Sequence, residues 1–223
     1  IFRVGQKSHT LGAFFVLGHK ALFEEGVPPV RPAMKHARDE GALLDLDKHN
    51  WPWSMMLAPV FDVDLYELSN NHMWETEFAF REFGSPAPDF MKIEKDAGGM
   101  TEKGWIDYTF QNYYAPLNCD VRMKPTAGCA SGVHPVPLGF GRVYVQIEGP
   151  FSYDKWIRTL KAGRSFVTTG PMLFVSQMKH SQLSITAESA VPISRMELVI
   201  NGDVIALPRP ENKPTPTGGF VSS

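Results

Sequence analysis

Short apolar runs that end in histidine-bearing loops constrain the fold of this chain more than any other feature of its sequence. Residues 14–17 (FFVL), 42–46 (ALLDL) and 63–68 (VDLYEL) are such runs. Short, largely apolar runs bounded by polar loops are typical of strands that are buried on both faces of a sheet. A histidine follows each run within a few positions: His19, His49 and His72.

Helical segments separate these runs. Pro32 is typical of the first turn of a helix, and Gly41 is typical of a helix end. A second predicted helix is rich in aromatic residues and precedes a short predicted strand at 125–128, and a further strand is predicted at 142–147. Alternation of strands and helices predicts an α/β fold with a largely parallel sheet.

The pattern changes in the last third of the chain. Ser152 predicts the N-cap of a closing helix over 153–162, because a serine hydroxyl accepts a hydrogen bond from a free amide of the first turn. Alternating strands then flank Asn201-Gly202, a dipeptide favoured in tight hairpin turns. This part of the sequence resembles a portion of a β-sandwich.

We therefore predict two domains, an α/β domain over residues 1–178 and a truncated β-rich segment over 179–223. The chain starts at Ile1 rather than Met, and it stops at Ser223 after a proline-rich stretch. Both ends indicate a longer parent protein. A signal peptide would lie upstream of Ile1 and would mean export, so the sequence leaves the compartment open.

Composition excludes some classes of function. Hydrophobic residues make up 43% of the chain, and 22 Lys and Arg stand against 24 Asp and Glu. No basic stripe indicates nucleic-acid binding. No apolar run is long enough to cross a bilayer. We expect a soluble protein whose partner is a small-molecule substrate, with the oligomeric state left open.

The strand-end histidines suggest metal chemistry. Imidazoles that arrive from different strands can surround a divalent ion, which lowers the pKa of its bound water. A strand-end histidine can equally bond to a loop carbonyl, and for His72 we favour a structural or substrate-contact role. For His9, His36 and His180 we expect surface roles. The predicted metal ligands are the remaining three: His19, His49 and His134.

Charged residues near the strand ends are the other candidates. Asp45 and Asp47 alternate with leucines and so share one face of their strand, where they could orient an imidazole or form surface ion pairs. Glu67 is either a structural acid or a site residue. Arg142 follows a glycine-rich loop and either stabilises an anionic group or anchors the loop. We predict Asp47 and Arg142 as catalytic residues.

The chain resembles the CehA/McbA-type metallohydrolases of the polymerase and histidinol phosphatase (PHP) superfamily. The similarity lies in the Gly-His, LDKHN and LYELSN segments, in GFGRVYV at 139–145 and in the WIRTLKAGRSFVTTGPML stretch at 156–173. The resemblance implies a distorted (β/α)7 barrel, here incomplete at its N-terminus, that binds divalent zinc, manganese or iron ions. It implies hydrolysis of small ester, carbamate or phosphoester substrates, with His19, His49 and His134 in positions that correspond to metal-binding histidines.

The departures from this family concern its acidic ligands. Residues 6–8 (QKS) stand where the family has a metal-binding glutamate, and 128–134 (GCASGVH) replace a Gly-Ser-Asp-x-His motif. The chain also begins after the family's opening His-x-His motif. An alternative is therefore a divergent, non-catalytic ligand-binding barrel that has lost acidic metal ligands. We expect the chain by itself to have little activity.

Overall fold

The computed structural model describes residues 2–3, 13–24, 30–47, 55–73, 89–130, 136–177 and 183–223. The chain divides into two compact units, Ile1–Val167 and Thr168–Ser223. This division falls between residues 167 and 168, whereas the predicted domain boundary follows residue 178.

The first unit contains all the helices of the described residues and a central sheet. The helices are α1 (Val30–Asp39), α2 (Leu57–Phe61), α3 (Glu102–Asn118) and α4 (Tyr153–Lys161), with a 3₁₀ turn at Asn71–Met73. The strands are β1 (Phe2–Arg3), β2 (Ala13–Leu17), β3 (Leu43–Asp47), β4 (Leu65–Ser69), β5 (Lys95–Asp96), β6 (Gly99–Met100), β7 (Lys124–Ala127), β8 (Arg142–Val145) and β9 (Ser165–Thr168), of which the last residue falls just past the division. Among the described helices, none is long and apolar enough to cross a bilayer.

The central sheet is open and mixed, so the predicted (β/α)7 barrel is wrong. Its strand order is β1-β2-β3-β4-β7. Strands β3, β4 and β7 are parallel, but β2 is antiparallel to both of its neighbours. The described residues contain four helices and several small sheets, and none of these sheets closes into a barrel. An apolar strand suits parallel and antiparallel pairing equally well, which is why the sequence pattern did not reveal the reversed strand.

Helix α1 covers one face of this sheet. Leu44 and Leu46 of β3 point towards it and are fully buried, as is Tyr66 of β4. Met34 and Ala37 of α1 belong to the same hydrophobic cluster. Burial of side chains of this size contributes about 1.5–3 kcal/mol each relative to exposure, so this cluster is the main core of the first unit.

Helix α4 covers part of the opposite face. Leu43 and Leu65 from the sheet pack with Leu160 of α4, and all three are fully buried. The predicted N-cap of this helix is confirmed, because the Ser152 hydroxyl oxygen accepts a hydrogen bond from the Lys155 amide at 3.3 Å. The leucines occupy the half of this face where β3 and β4 begin, which leaves the other half to polar residues.

The second unit is made of antiparallel strands. They are β10 (Met172–Gln177), β11 (Leu183–Ser189), β12 (Glu197–Ile200), β13 (Asp203–Ala206), β14 (Asn212–Pro214) and β15 (Phe220–Ser222). Four of them form a sheet of order β10-β11-β15-β14, and β12 and β13 form a separate hairpin. The predicted hairpin turn is confirmed, since Asn201 and Gly202 both have positive φ.

Candidate functional site

Three acidic side chains are buried on one face of the central sheet. Asp45 and Asp47 lie on β3 and Glu67 lies on β4, with exposed fractions of 5%, 8% and 6%. Asp45 pairs in register with Leu65, two positions before Glu67, which places the three acids on the same face. These three acids lie towards the carboxyl ends of the parallel strands β3, β4 and β7. We call this end of the sheet the carboxyl edge.

Asp45 is the most deeply placed of these acids. The Thr126 hydroxyl of β7 donates to its carboxylate, and the oxygen lies 2.8 Å from both Oδ1 and Oδ2. Burial raises the pKa of Asp45 to about 7, with the nearby charges of Asp47 and Asp64 acting in the same direction and the Thr126 hydrogen bond opposing them. The carboxyl edge can therefore hold a proton on Asp45 at near-neutral pH.

Two glycines make room for the second acid and its neighbour. A Cβ atom at Gly128 would lie 2.8 Å from Oε1 of Glu67. A Cβ atom at Gly141 would lie 3.0 Å from both the Ser69 hydroxyl and the Gly128 carbonyl oxygen. Such short separations are inside normal van der Waals contact, so larger residues at these two positions would displace the polar groups of the carboxyl edge.

Buried polar groups continue beyond the end of β4. Ser69 is 4% exposed, and Asn71 in the 3₁₀ turn is 3% exposed. The Ser69 hydroxyl and the Asn71 side-chain amide nitrogen have no hydrogen-bond partner within the part of the chain that the structure describes. A buried polar group without a partner costs about 1–3 kcal/mol, so these groups are expected to gain one from a ligand, from water or from another part of the chain.

Arg142 lies beside this edge. It is the first residue of β8 and directly follows Gly141, which packs against Ser69. Its side chain is exposed. A guanidinium group in this position is accessible to an anionic ligand, and the geometry is equally compatible with a role in fixing the loop that precedes β8.

His19 lies at the other end of the sheet. Leu17 pairs with Leu43, where β3 begins, whereas Asp47 at the end of β3 pairs with Ala13. Because each strand residue adds about 3.3 Å, the length of β3 places His19 roughly 13 Å or more from the end that carries Asp47. The antiparallel direction of β2 therefore separates His19 from the carboxyl edge.

The contacts of His19 are local. Its Nδ1 donates to the Ala21 carbonyl oxygen at 3.0 Å, and its ring meets the edge of the Phe23 ring. Phe23 in turn stacks on His36 with ring centroids 4.3 Å apart, and His36 lies 3.4 Å from a carboxylate oxygen of Glu40. These contacts attach the segment after β2 to the end of α1.

The structure describes the backbone of His72 but not the other two histidines that were predicted as metal ligands. His49 and His134 are outside the described residues, and His72 lies in the 3₁₀ turn after β4. In sequence, His49 comes two residues after the end of β3, and His134 comes seven residues after the end of β7. Within the described residues, no group of three or more histidine, cysteine or acidic side chains is arranged to hold a metal ion.

Sequence reasoning identified part of the carboxyl edge and missed the rest. Asp47 and Arg142 were predicted as catalytic residues, and Asp45 and Glu67 were considered with alternatives. Thr126 was missed because it lies 81 positions from Asp45 and nothing local indicates their contact. Comparison with protein-family models, curated proteins and solved structures finds no match to this chain.

Proposed function

We propose that this chain carries the acidic part of a metal-dependent hydrolase site at the carboxyl edge, acting on a small ester, carbamate or phosphoester. The observation that carries the proposal is the burial of Asp45, Asp47 and Glu67 on one face at the ends of parallel strands. A buried acid whose pKa is strongly raised, as that of Asp45 is, is a candidate for a functional site. Active sites of parallel α/β sheets lie at this end of the strands. The resemblance to PHP-type metallohydrolases supports the same reaction class.

The donor set fits a divalent cation only in part. Carboxylate oxygens suit manganese, zinc and iron, and the like charges of Asp47 and Glu67 would be relieved by a cation between them. The described acids do not form a complete site, so further ligands would come from elsewhere in the chain, with His49 and His134 as the sequence candidates. A bound divalent ion supplies a water of lowered pKa.

The protein's own groups would prepare this site in separate ways. Thr126 holds the Asp45 carboxyl by its hydroxyl hydrogen bond, and Asp45 can retain a proton near neutral pH. Gly128 leaves space beside Glu67, and Gly141 leaves space beside Ser69. Arg142 would neutralise an anionic group of the substrate, which is the role its fork-shaped donor set favours.

Metal binding tests the proposal directly. The chain is dialysed against EDTA and titrated with Mn²⁺ and Zn²⁺ by calorimetry, alongside Asp47→Asn and Glu67→Gln. We expect binding by the unaltered chain and a loss of about tenfold or more in affinity for each variant, because one ligand charge is removed. Asp120→Asn is the matched control, since this acid is highly exposed and precedes the start of β7, at the end of that strand away from Gly128.

Equal affinities in all four proteins, or no binding at all, would contradict a metal site that uses these acids. Turnover is then measured with Mn²⁺ or Zn²⁺ supplied, with aryl esters, carbamates and phosphoesters as substrates. Metal-dependent turnover that is lost in Asp47→Asn supports a hydrolase. Metal binding without turnover of any substrate in that panel would favour the non-catalytic alternative.

A further inference from the structure

One edge of the four-stranded sheet in the second unit is open. Strand β10 (Met172–Gln177) lies at the end of the order β10-β11-β15-β14, and among the described strands it pairs only with β11. In an antiparallel pair, the N–H and C=O groups of alternate residues point away from the neighbouring strand. The outer side of β10 therefore presents backbone groups that a further strand can bind.

Strand β10 lacks the features that usually prevent the addition of a strand. Its six residues (MLFVSQ) include no charged residue and no proline. Leu173, Phe174 and Val175 are 44%, 49% and 57% exposed. Because consecutive residues of a strand lie on opposite faces, apolar side chains are exposed on both faces of this edge. A long, apolar edge of this kind is prone to pair with another strand.

The other strand edges of the second unit are protected. β14 (Asn212–Pro214) forms the opposite edge of the same sheet, and two of its three residues are Lys213 and Pro214. In the separate hairpin, β12 carries Glu197 and β13 carries Asp203. Charge, proline and short length are the usual means by which proteins block strand pairing. Among the edges that the structure describes in this unit, β10 alone has none of them.

The composition of β10 suits a second copy of the same strand. Two identical strands pair in antiparallel about a two-fold axis, and the same surface then contacts itself. A charged residue close to the axis would meet its own like charge, which is unfavourable. Strand β10 has no charge to oppose in this way, whereas a lysine or glutamate on the other edges would face itself.

The geometry of the pairing limits where the axis can lie. Side chains directly opposite each other in a sheet lie on the same face, so the residue on the axis must oppose its own copy. For a strand of six residues, Phe174 and Val175 are the two positions nearest the middle. An axis at Val175 would place Phe174 against Ser176. An axis at Phe174 pairs like with like and is therefore the better match.

We propose that two copies of this chain associate through β10, with Phe174 on the two-fold axis. Phe174 then opposes Phe174 of the second copy, and aromatic pairs of this kind are favourable. On the other face, Leu173 of each copy opposes Val175 of its mate. The two four-stranded sheets would join into one continuous sheet with β14 at both outer edges, so that association ends at the dimer. The inference concerns the second unit alone and does not depend on the metal site.

Sedimentation equilibrium of the full chain tests the proposal. The paired edges form a small interface, so we expect a reversible dimer with a dissociation constant in the micromolar range. Phe174→Lys and Phe174→Glu each place two like charges opposite one another, and each should weaken the dimer by about tenfold or more. Ile205→Lys on β13 is the matched control, since Ile205 is 46% exposed and lies on the separate hairpin. This control should dimerise like the unaltered chain.

Mixing the two Phe174 variants tests the position of the axis. An equimolar mixture places opposite charges against each other, which is favourable in a cross-strand pair. The mixture should therefore form a dimer at concentrations where each variant alone is a monomer. Val175→Lys, which places a charge against Leu173, should also weaken the dimer and gives an independent answer if the Phe174 variants do not fold. Circular dichroism checks the fold of every variant.

Four results would overturn the inference. The unaltered chain could stay monomeric at every concentration up to several hundred micromolar, or it could form species larger than a dimer. The dimer could be as stable in the folded Phe174 and Val175 variants as in the unaltered chain, which would place the contact elsewhere. Finally, the mixture of Phe174→Lys and Phe174→Glu could remain monomeric, which would mean that Phe174 does not oppose its own copy.

Discussion

The buried side chain of Asp45 makes the stability of the fold depend on pH. Its pKa is raised from the usual 3.8 to about 7, first by burial and then by the neighbouring acids. Between these two values the unfolded chain releases the proton while the folded chain keeps it. The stability that this group contributes is therefore complete below about pH 4 and is lost as the pH rises to about 7.

We predict that Asp45→Asn removes the loss of stability that accompanies rising pH. The variant keeps a group that can bond to the Thr126 hydroxyl, but it has no charge to desolvate. Its free energy of unfolding relative to the unaltered chain should rise between pH 4 and pH 8, by at most about 4 kcal/mol at ~1.4 kcal/mol per pKa unit. Urea denaturation in EDTA at several pH values measures the difference. Asp120→Asn, an exposed acid, should show no such trend, and a flat difference for Asp45→Asn would contradict a proton held at this position.

At the scale of elements, α3 depends on a close contact with the segment before it. Gly104 is buried in the first turn of this helix, and a Cβ atom there would overlap the carbonyl oxygen of Glu94. Met91 packs on Trp105 and Tyr108 in the same region. The glycine therefore allows the chain before β5 to lie directly on the helix.

We predict that Gly104→Ala destabilises the first unit, although alanine is the better helix former by about 1 kcal/mol. The backbone oxygen of Glu94 cannot move aside as a flexible side chain could, so the clash should cost about 2 kcal/mol or more, as overpacking does in cores. Thermal unfolding measures the change. Lys103→Ala, an exposed position one residue away, should change stability by less than about 0.5 kcal/mol. An increase in melting temperature for Gly104→Ala would show that the contact is absent.

Local sequence signals predicted several of the elements. The N-cap at Ser152 and the turn at Asn201 were both confirmed, because each depends on residues that are adjacent in the chain. The pairing direction of β2 was not predictable from its composition. The contact between Thr126 and Asp45 was also out of reach, because strand register is set by packing across the whole sheet and not by neighbours in sequence.

Part of the candidate site was predictable from the sequence, and part was not. Asp47 was identified because it follows an apolar run, which is a local property. The expected convergence of His19 with the other strand ends assumed parallel neighbours, and the antiparallel β2 places His19 at the opposite end of the sheet. Because β2 runs antiparallel to β3, His19 cannot act together with the acids of the carboxyl edge.

At the scale of the whole molecule, the two compact units have separate means of stabilisation. The first unit contains the hydrophobic clusters around Leu46 and Leu160. In the second unit, Asn212 fixes a loop to the sheet. Its side chain accepts from the Ile193 amide at 2.7 Å, donates to the Ile193 carbonyl at 2.9 Å, and accepts from the fully buried Ser222 hydroxyl at 2.7 Å.

We predict that the units unfold in two transitions that respond to different substitutions. Leu160→Ala should lower the midpoint of one transition, since removing a buried leucine side chain costs about 2–5 kcal/mol. Asn212→Ala should lower only the other, because it leaves the groups of Ile193 and Ser222 without partners at a cost of about 1–3 kcal/mol each. Differential scanning calorimetry on the two variants and on their combination measures both midpoints. Independent units require the two shifts to add without coupling. A single transition that moves with either substitution would instead mean that the chain folds as one cooperative body.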